Sequence, residues 1–316
     1  MALDSGAATV ALPICSAPLR RLVERLLLGG GDSVADRRPM GPAQSETRKR
    51  VLVAEDNPVN RVVARRLLEG LGYDVEEAHD GEQAVRAVGE RAFDAILMDC
   101  QMPVLDGYQA SKQIRRLSGA PSRTPIIAVT ANALAGDRDR CIAAGMDDYV
   151  AKPIDSRRLA EVLDRVLGPS STGGELRSAT STEPAGPTQP TFNGEPTLDL
   201  STIEELRRFA GDDGDELVRE VVGLFLESAR KFGTVLGEAV AARDAAATAA
   251  AAHRIRGGSL NVGAKRLAAQ AVDIETRARR NPEEDLRPSL DALIVELARV
   301  EDRLRPLLAS GGSALA

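Results

Sequence analysis

The chain has 316 residues and a net charge of −6 at pH 7, with 43% apolar and 28% charged residues. This length predicts about two domains, and the composition is that of a soluble globular protein. The acidic balance and the 3% aromatic content without tryptophan exclude the basic, base-stacking surface of a typical nucleic-acid-binding domain. Three irregularly spaced cysteines indicate neither a disulfide framework nor a zinc site.

Residues 1–48 form an N-terminal segment without a secretory or membrane-spanning pattern. Its longest apolar run, residues 22–28, is too short to cross a bilayer, so the expected location is the cytoplasm. A shift of 140 positions aligns residues 11–28 with residues 151–168 without a gap. We therefore expect residues 11–28 to be the remnant tail of a preceding α/β domain in a longer parent protein. The alternative is a chance match between two amphipathic helices.

Residues 49–168 alternate short apolar runs with helical patterns. Helices fit the intervals, the first beginning at about Pro58 and the last ending at about Leu167. The alternation predicts an α/β doubly wound parallel sheet, with the short and polar fifth strand at an edge. The predicted strands are residues 51–54, 74–78, 95–98, 126–129 and 148–151.

Polar side chains stand where the predicted strands end. Glu55 and Asp56 follow the first strand and Asp99 follows the third, while Thr130 and Lys152 follow the fourth and fifth. Because the carboxyl ends of parallel strands share one edge of a sheet, we expect these side chains to meet there. Three carboxylates packed together require a cation, and Mg²⁺ suits an all-oxygen site that also takes phosphate.

These residue types support phosphoryl transfer. Asp99 can attack a phosphoryl group as a carboxylate nucleophile. Lys152 can then offset charge on the phosphoryl oxygens, and Thr130 can donate a hydrogen bond to one of them. The backbone carbonyl of Gln101 could supply a further metal ligand. Each residue alone could be an ordinary cap or turn residue, but the whole set in order at strand ends is difficult to explain in that way.

The motifs around these residues resemble the receiver domain of two-component response regulators. The resemblance covers residues 50–167 and implies a five-stranded, flavodoxin-like parallel sheet in the order 2-1-3-4-5, with Asp99 as the phosphoacceptor. It also implies that Thr130 and Tyr149 report phosphorylation to the face around the fourth and fifth helices; an ordinary core or surface tyrosine is the alternative for Tyr149. The motifs are Glu55-Asp56-Asn57, Met98 to Pro103, Asp106-Gly107, Thr130-Ala131 and Lys152-Pro153.

The remaining sequence changes character twice. Residues 169–196 are rich in glycine, proline, serine and threonine without an apolar period, which predicts a flexible linker. Residues 197–310 show helical patterns only, which predict an all-α antiparallel bundle of about four main helices before a short tail, residues 311–316. Asp244 is the expected N-cap of an alanine-rich helix that carries His253.

His253 is a candidate phosphorylation site. On a helix its neighbours include Arg256, which would hold a phosphoryl group on the ring, and Gly257, which would let another protein approach closely. The stripe expected to face the bundle lies on another side of the helix, so we expect His253 to point outward. A structural or merely exposed histidine is the alternative, and His79, in a β-to-α turn, is expected to have no such role.

Residues 253–259, followed by Asn261, Gly263 and Ala264, resemble a histidine phosphotransfer (Hpt) domain, and the resemblance spans residues 198–308. Arg256 stands where that family usually has lysine, which keeps the charge. The resemblance implies that His253 accepts phosphoryl from one receiver aspartate and donates it to another. A receiver followed by an Hpt domain resembles the C-terminal part of a hybrid sensor histidine kinase. Membrane association through a parent or partner kinase is therefore left open.

The favoured function is a phosphorelay intermediate. An upstream histidine kinase would donate phosphoryl to Asp99, and His253 would pass phosphoryl to the receiver of a separate response regulator. A linker of about 28 residues spans roughly 30 Å as a random coil, which gives an effective concentration near mM for exchange within one chain. The sequence shows no ATP-binding glycine motif, so we do not expect the chain to phosphorylate itself from ATP.

Two other functions are left open by the sequence. One is a scaffold that binds partners without phosphate, although the intact acids, Thr130 and Lys152 argue against it. The other is a metal-dependent phosphohydrolase with Asp99 as nucleophile. Haloacid-dehalogenase-type sites need a second aspartate two residues further on, where this chain has Gln101.

Overall fold

The computed structural model describes residues 48–130, 135–168 and 197–309. Three expectations from the sequence lie outside the described residues: the remnant tail at 11–28, the linker at 169–196 and the tail at 311–316. The motif residue Ala131 also lies outside them. The domain boundaries given above stay predictions.

The described residues between 50 and 151 include a five-stranded parallel sheet in the order β2-β1-β3-β4-β5. This confirms the predicted doubly wound α/β fold and its strand order, with the fifth strand at an edge. The three inner strands are almost wholly buried, as their continuous apolar runs predict for strands covered on both faces. The strands are β1 (Arg50–Ala54), β2 (Asp74–Ala78), β3 (Ala95–Asp99), β4 (Ile126–Thr130) and β5 (Asp148–Ala151).

Five helices cover this sheet. The first and the fifth pack on one face, against Val51 and Val53 of β1, and the other three pack on the opposite face, against Leu52 and Ala54. The alternation follows from the two-residue period of side chains along a strand. The helices are α1 (Pro58–Gly70), α2 (Gly81–Glu90), α3 (Gly107–Arg115), α4 (Ala135–Ala143) and α5 (Ser156–Leu167).

The C-terminal part of the described chain is helical, as the sequence predicts. Short connections join the last four helices, which makes consecutive helices antiparallel neighbours. Asp244 caps α8 as expected, because its side chain accepts a hydrogen bond from the Ala247 N–H. None of the described helices is long and apolar enough to cross a bilayer. The helices are α6 (Leu200–Ala210), α7 (Gly214–Ala241), α8 (Ala245–Asn261), α9 (Lys265–Arg280) and α10 (Arg287–Ala309).

The α/β domain and the helical bundle share one apolar core. Helix α1 packs against α6, α7 and α8, and buried side chains run without a break from Val59 on α1 to Phe225 on α7. At the end of α1 the approach is very close, because a Cβ added to Gly70 would lie 2.7 Å from Phe209 Cζ. This packing holds the carboxyl edge of the sheet against the bundle.

Substitutions of the two glycines Gly263 and Gly237 test the described packing of the bundle as a matched pair. Gly263, before α9, has φ +74°, and an added Cβ would lie 2.1 Å from the Asp199 carbonyl oxygen. We expect Gly263→Ala to lower the free energy of unfolding by about 1–3 kcal/mol. Gly237, inside α7, has nothing within 4 Å of an added Cβ. Gly237→Ala should therefore raise the unfolding free energy by about 0.5–1 kcal/mol. Urea unfolding of the full chain measures both, and equal effects of the two variants would contradict the described packing.

Candidate phosphoryl-transfer site

Three acidic residues and one lysine meet at the carboxyl edge of the sheet. Glu55, Asp56 and Asp99 each offer one carboxylate oxygen, and these oxygens lie within 4.8 Å of one another. Lys152 Nζ lies 2.8 Å from Glu55 Oε2 and 2.9 Å from Asp99 Oδ2. The strand order explains the cluster, since β1 and β3 are neighbours and only β4 separates β3 from β5. The cluster could bind a metal ion through its carboxylate oxygens.

Burial and the crowding of like charges both disfavour ionisation of the acidic cluster. Burial, followed by the nearby carboxylate of Glu55, raises the pKa of Asp99 to about 8, although Lys152 acts in the opposite direction. Burial and Glu55 also raise the pKa of Asp56. Burial alone would lower the pKa of Lys152, but Asp99 and Glu55 outweigh it, so the ammonium stays charged. The cluster is therefore short of positive charge.

The other predicted residues of this site lie around Asp99. Gln101 donates its backbone N–H to Asp99 Oδ1 at 3.2 Å. Thr130 is buried at the end of β4 and lines a cavity together with Asp99 and Gln101. Tyr149 is half-buried on β5 and packs against the core on the α2–α4 face of the sheet.

His253 is buried, with 9% of its surface exposed, so the expectation that it points outward is wrong. Its Nδ1 lies 3.2 Å from Oε1 and 3.4 Å from Oε2 of Glu275 on α9. The apolar stripe of α8 does lie elsewhere on the helix, but α9 and the α/β domain both cover the side that carries the imidazole. The ring therefore sits between a carboxylate and the acidic edge of the sheet.

Glu275 is a site residue that the sequence interpretation missed. Its carboxylate also lies 3.4 Å from Arg256 Nη1 and 2.8 Å from Arg279 Nη2. Burial alone would raise the pKa of Glu275, but the His253 ring and the arginines outweigh it and lower the pKa. A usable signal was present, because Glu275 stands beside Ile274 on the buried face of α9, where an acidic residue needs a partner.

The α/β domain contacts α8 beside the imidazole through Arg254. Arg254 Nε donates to Asp56 Oδ2 at 2.8 Å, which joins the bundle to the acidic cluster. The Arg254 backbone carbonyl accepts a hydrogen bond from Asn57 Nδ2 at 2.9 Å. Asn57 is also the N-cap of α1, where its Oδ1 accepts from the Val59 N–H. The start of α1 is thereby fixed on α8.

Asn60 makes a second link between the two domains. Its Oδ1 accepts from Asn261 Nδ2 at 2.7 Å, and its Nδ2 donates to Glu55 Oε1 at 2.9 Å. The close approach depends on Gly257, since a Cβ added there would lie 2.9 Å from Asn60 Nδ2. Because Gly257 has no side chain, the α/β domain of the same chain can pack closely against α8 at this position.

A third link is electrostatic and lies further along α1. Arg65 Nη2 and Arg66 Nη2 each lie 3.2 Å from an oxygen of Glu220 on α7. All three side chains are partly exposed, so we expect the pairs to orient the domains more than to stabilise them.

Asp99 and His253 line the same cavity. Its volume is about 450 Å³, and Thr130, Arg256 and Glu275 also line it. A cavity of about 300 Å³, lined by Asp56 and Arg254 among others, shares the His253 wall. The two candidate phosphorylation sites thus face one space between the domains.

Comparisons with protein-family models identify both parts of the chain. Residues 51–164 match the response regulator receiver domain, and residues 220–303 match the Hpt domain. Residues 51–164 are therefore a receiver domain, and residues 220–303 are an Hpt domain.

Two relatives of the chain are named as a sensor protein and as a histidine-protein kinase. The chain is 32% identical over 293 residues to the sensor protein GacS of Pseudomonas syringae pv. syringae, covering 91% of this chain and 30% of the relative. It is 33% identical over 258 residues to the signal transduction histidine-protein kinase BarA of Shigella flexneri, covering 81% and 27%. The chain therefore spans less than a third of the length of these relatives.

One solved structure that the chain resembles is the receiver domain of the sensor histidine kinase PA1611 from Pseudomonas aeruginosa PAO1. That crystal structure has a magnesium ion coordinated in the active site cleft. The identity is 50%, over 39% of this chain and 100% of that chain, with a TM-score of 0.37.

The raised pKa of Asp99 predicts a pH-dependent stability difference between wild type and Asp99→Asn in a chelator. A carboxyl whose pKa is raised on folding contributes stability at low pH, and this contribution is lost as the pH rises from about 4 towards about 8. Asparagine does not titrate in this range. We therefore expect the melting temperature of Asp99→Asn to exceed that of wild type by a few degrees more at pH 8 than at pH 5. Thermal unfolding monitored by circular dichroism measures the difference, and a constant or shrinking gap would contradict the electrostatics described.

Proposed function

We propose that the chain is a phosphorelay intermediate in which Asp99 and His253 exchange a phosphoryl group with each other. The observation that supports this most directly is that both residues line one cavity between the receiver and Hpt domains. An upstream histidine kinase phosphorylates Asp99, and His253 passes the group to the receiver of a separate response regulator. Because the chain spans less than a third of its sensor kinase relatives, its place within or beside such a kinase belongs to the proposal. Its location in the cytoplasm is also part of the proposal.

The acidic cluster is the proposed metal site of the receiver domain. Glu55, Asp56 and Asp99 would hold Mg²⁺ with the backbone carbonyl of Gln101. The donors fit this ion, because they are oxygen atoms and their negative charge exceeds the single positive charge of Lys152. When bound, Mg²⁺ supplies neutralisation of the charge on phosphoryl oxygens.

The receiver residues take up the phosphoryl group in one displacement. A carboxylate oxygen of Asp99 forms a bond to phosphorus while the bond from phosphorus to the phosphohistidine nitrogen of the kinase breaks. That nitrogen keeps the electron pair of the broken bond. Lys152, already held beside Asp99, offsets charge on the phosphoryl oxygens, and Thr130 donates a hydrogen bond to one of them. Thr130 and Tyr149 then report the phosphorylated state to the face around α4 and α5.

The Hpt residues prepare His253 for the second displacement. With the Nδ1 proton donated to the Glu275 carboxylate, Nε2 carries the free electron pair and needs no base. Nε2 forms a bond to phosphorus as the bond to the Asp99 oxygen breaks, which returns Asp99 to a carboxylate. Glu275 stabilises the positive ring that results. Arg256, which lines the same cavity, holds the phosphoryl oxygens.

Label transfer from a phosphorylated kinase domain tests the proposed route. The full chain should acquire two labels, an acyl phosphate at Asp99 and a phosphoimidazole at His253, which differ in their stability to acid and base. We expect His253→Gln to keep only the acyl phosphate, and Asp99→Asn to lose both labels because His253 is loaded through Asp99. A phosphoimidazole formed at the wild-type rate in Asp99→Asn would contradict the order of transfer.

Glu275 is proposed as a positioning residue, and two substitutions separate its roles. Glu275→Gln keeps an acceptor for Nδ1–H but removes the charge, so the Asp99-to-His253 rate should fall on the order of tenfold. Glu275→Ala removes the acceptor as well and should be slower still. In ¹⁵N NMR spectra of the imidazole, Glu275→Ala should lose the Nδ1–H tautomer that the wild type prefers.

The matched control is Glu283→Ala, which removes an exposed acid outside α9. It should leave both the rate and the tautomer unchanged. A wild-type tautomer in Glu275→Ala would show that Glu275 has only a structural role.

A further inference from the structure

We propose that Arg254 couples docking of the Hpt domain to the charge of the acidic cluster, so that Mg²⁺ and Arg254 compete for the unphosphorylated receiver domain. Arg254 is adjacent to His253 in the sequence, but it points to Asp56, one of the three acids proposed to hold the metal. The Hpt domain thereby brings its own cation to the metal site.

Several groups hold Arg254 in place, through both its guanidinium and its backbone. Its Nε lies 2.8 Å from Asp56 Oδ2, a carboxylate with only 9% of its side chain exposed. Its Cζ lies 5.4 Å from the ring centroid of Phe232, which adds a cation–π contact. Asn57 fixes its backbone carbonyl. The ion pair is buried on the Asp56 side and partly exposed on the Arg254 side, so removing Arg254 leaves the Asp56 carboxylate without this counter-charge.

The net charge of the cluster explains why a divalent ion would weaken the ion pair between Arg254 and Asp56. With all three carboxyl groups ionised, as metal binding requires, the cluster without the Hpt domain holds three carboxylates and one ammonium, an excess of two negative charges that one Mg²⁺ balances. With Arg254 in place the excess falls to one, and a divalent ion overcompensates it. Repulsion between cations is strong at a buried site because the local dielectric constant is low. Since coupling between two ligands is reciprocal, Mg²⁺ weakens docking by the same factor as docking weakens Mg²⁺ binding.

Phosphorylation of Asp99 reverses this balance. An aspartyl phosphate replaces one negative charge by about two, so the cluster can then accommodate Mg²⁺ and Arg254 together. The Hpt domain would dock when a phosphoryl group is present and leave once the group has moved. Departure uncovers the face of α8 around His253 for another receiver. This last step rests on the proposed exchange between Asp99 and His253, whereas the competition between Mg²⁺ and Arg254 does not.

Calorimetric titration of the full, unphosphorylated chain with Mg²⁺ tests the competition. Arg254→Gln removes the charge, and we expect it to bind Mg²⁺ at least about fivefold more tightly than wild type. Arg303→Gln on α10 is the control, since Arg303 is exposed and does not line the cavities between the domains; it should bind as wild type does. Equal Mg²⁺ affinity of Arg254→Gln and wild type would overturn the proposal.

Amide hydrogen exchange in the same chains supplies a readout of docking. In wild type, Mg²⁺ alone should speed exchange in α1 and α8, and Mg²⁺ with beryllofluoride, which mimics an aspartyl phosphate, should slow it again. In Arg254→Gln, Mg²⁺ alone should have no such effect. If exchange in wild type ignores Mg²⁺, the coupling fails even where label still moves from Asp99 to His253. If the coupling is found but no label reaches His253, the proposed function fails and the competition stands.

Discussion

Crowding of negative charge at the carboxyl edge of the sheet is the constraint on which the rest of the structure depends. The parallel strand order brings Glu55, Asp56 and Asp99 within 4.8 Å of one another, in a region with little contact with water. Lys152 is the cation that the receiver domain itself provides, and it neutralises only part of this charge. The remaining negative charge can be offset by a proton on Asp99, whose pKa is raised, or from outside the domain by a metal ion or by an arginine of the Hpt domain.

The Hpt domain carries an excess of positive charge that complements the acidic cluster. Beside His253 the buried carboxylate of Glu275 contacts Arg256 and Arg279, while Arg254 forms an ion pair with Asp56 of the acidic cluster. The negatively charged cluster of the receiver domain therefore lies next to a positively charged site on the Hpt domain. The phosphoryl group would pass between these two sites. The apolar packing of α1 on the bundle and the contact of Gly70 with Phe209 hold these two surfaces in register.

Much of this could be predicted from the sequence, because the signals are local. Apolar runs of strand length locate β1 to β5 within one residue at each end, and the polar residues that follow them locate the acidic cluster. The motifs around Asp99 and Lys152 then supply the strand order through the receiver resemblance. Asp244 was recognisable as an N-cap because a cap is read from a few neighbouring residues.

Contacts between distant elements were not predictable in the same way. The pairing of Arg254 with Asp56 joins residues 198 positions apart, and no local pattern marks either as a partner of the other. The outward orientation expected of His253 was wrong for this reason. Helical periodicity correctly separated the imidazole from the apolar stripe of α8, but it could not show that α9 and the receiver domain would cover the remaining side.

The most direct measurement is the rate at which label moves from Asp99 to His253 as the full chain is diluted. Docking within one chain predicts first-order transfer whose rate constant stays unchanged over a hundredfold or so dilution, because both sites belong to the same molecule. A rate that falls in proportion to chain concentration would show that the two sites meet only between chains. That result would contradict the intramolecular cavity as the place of transfer.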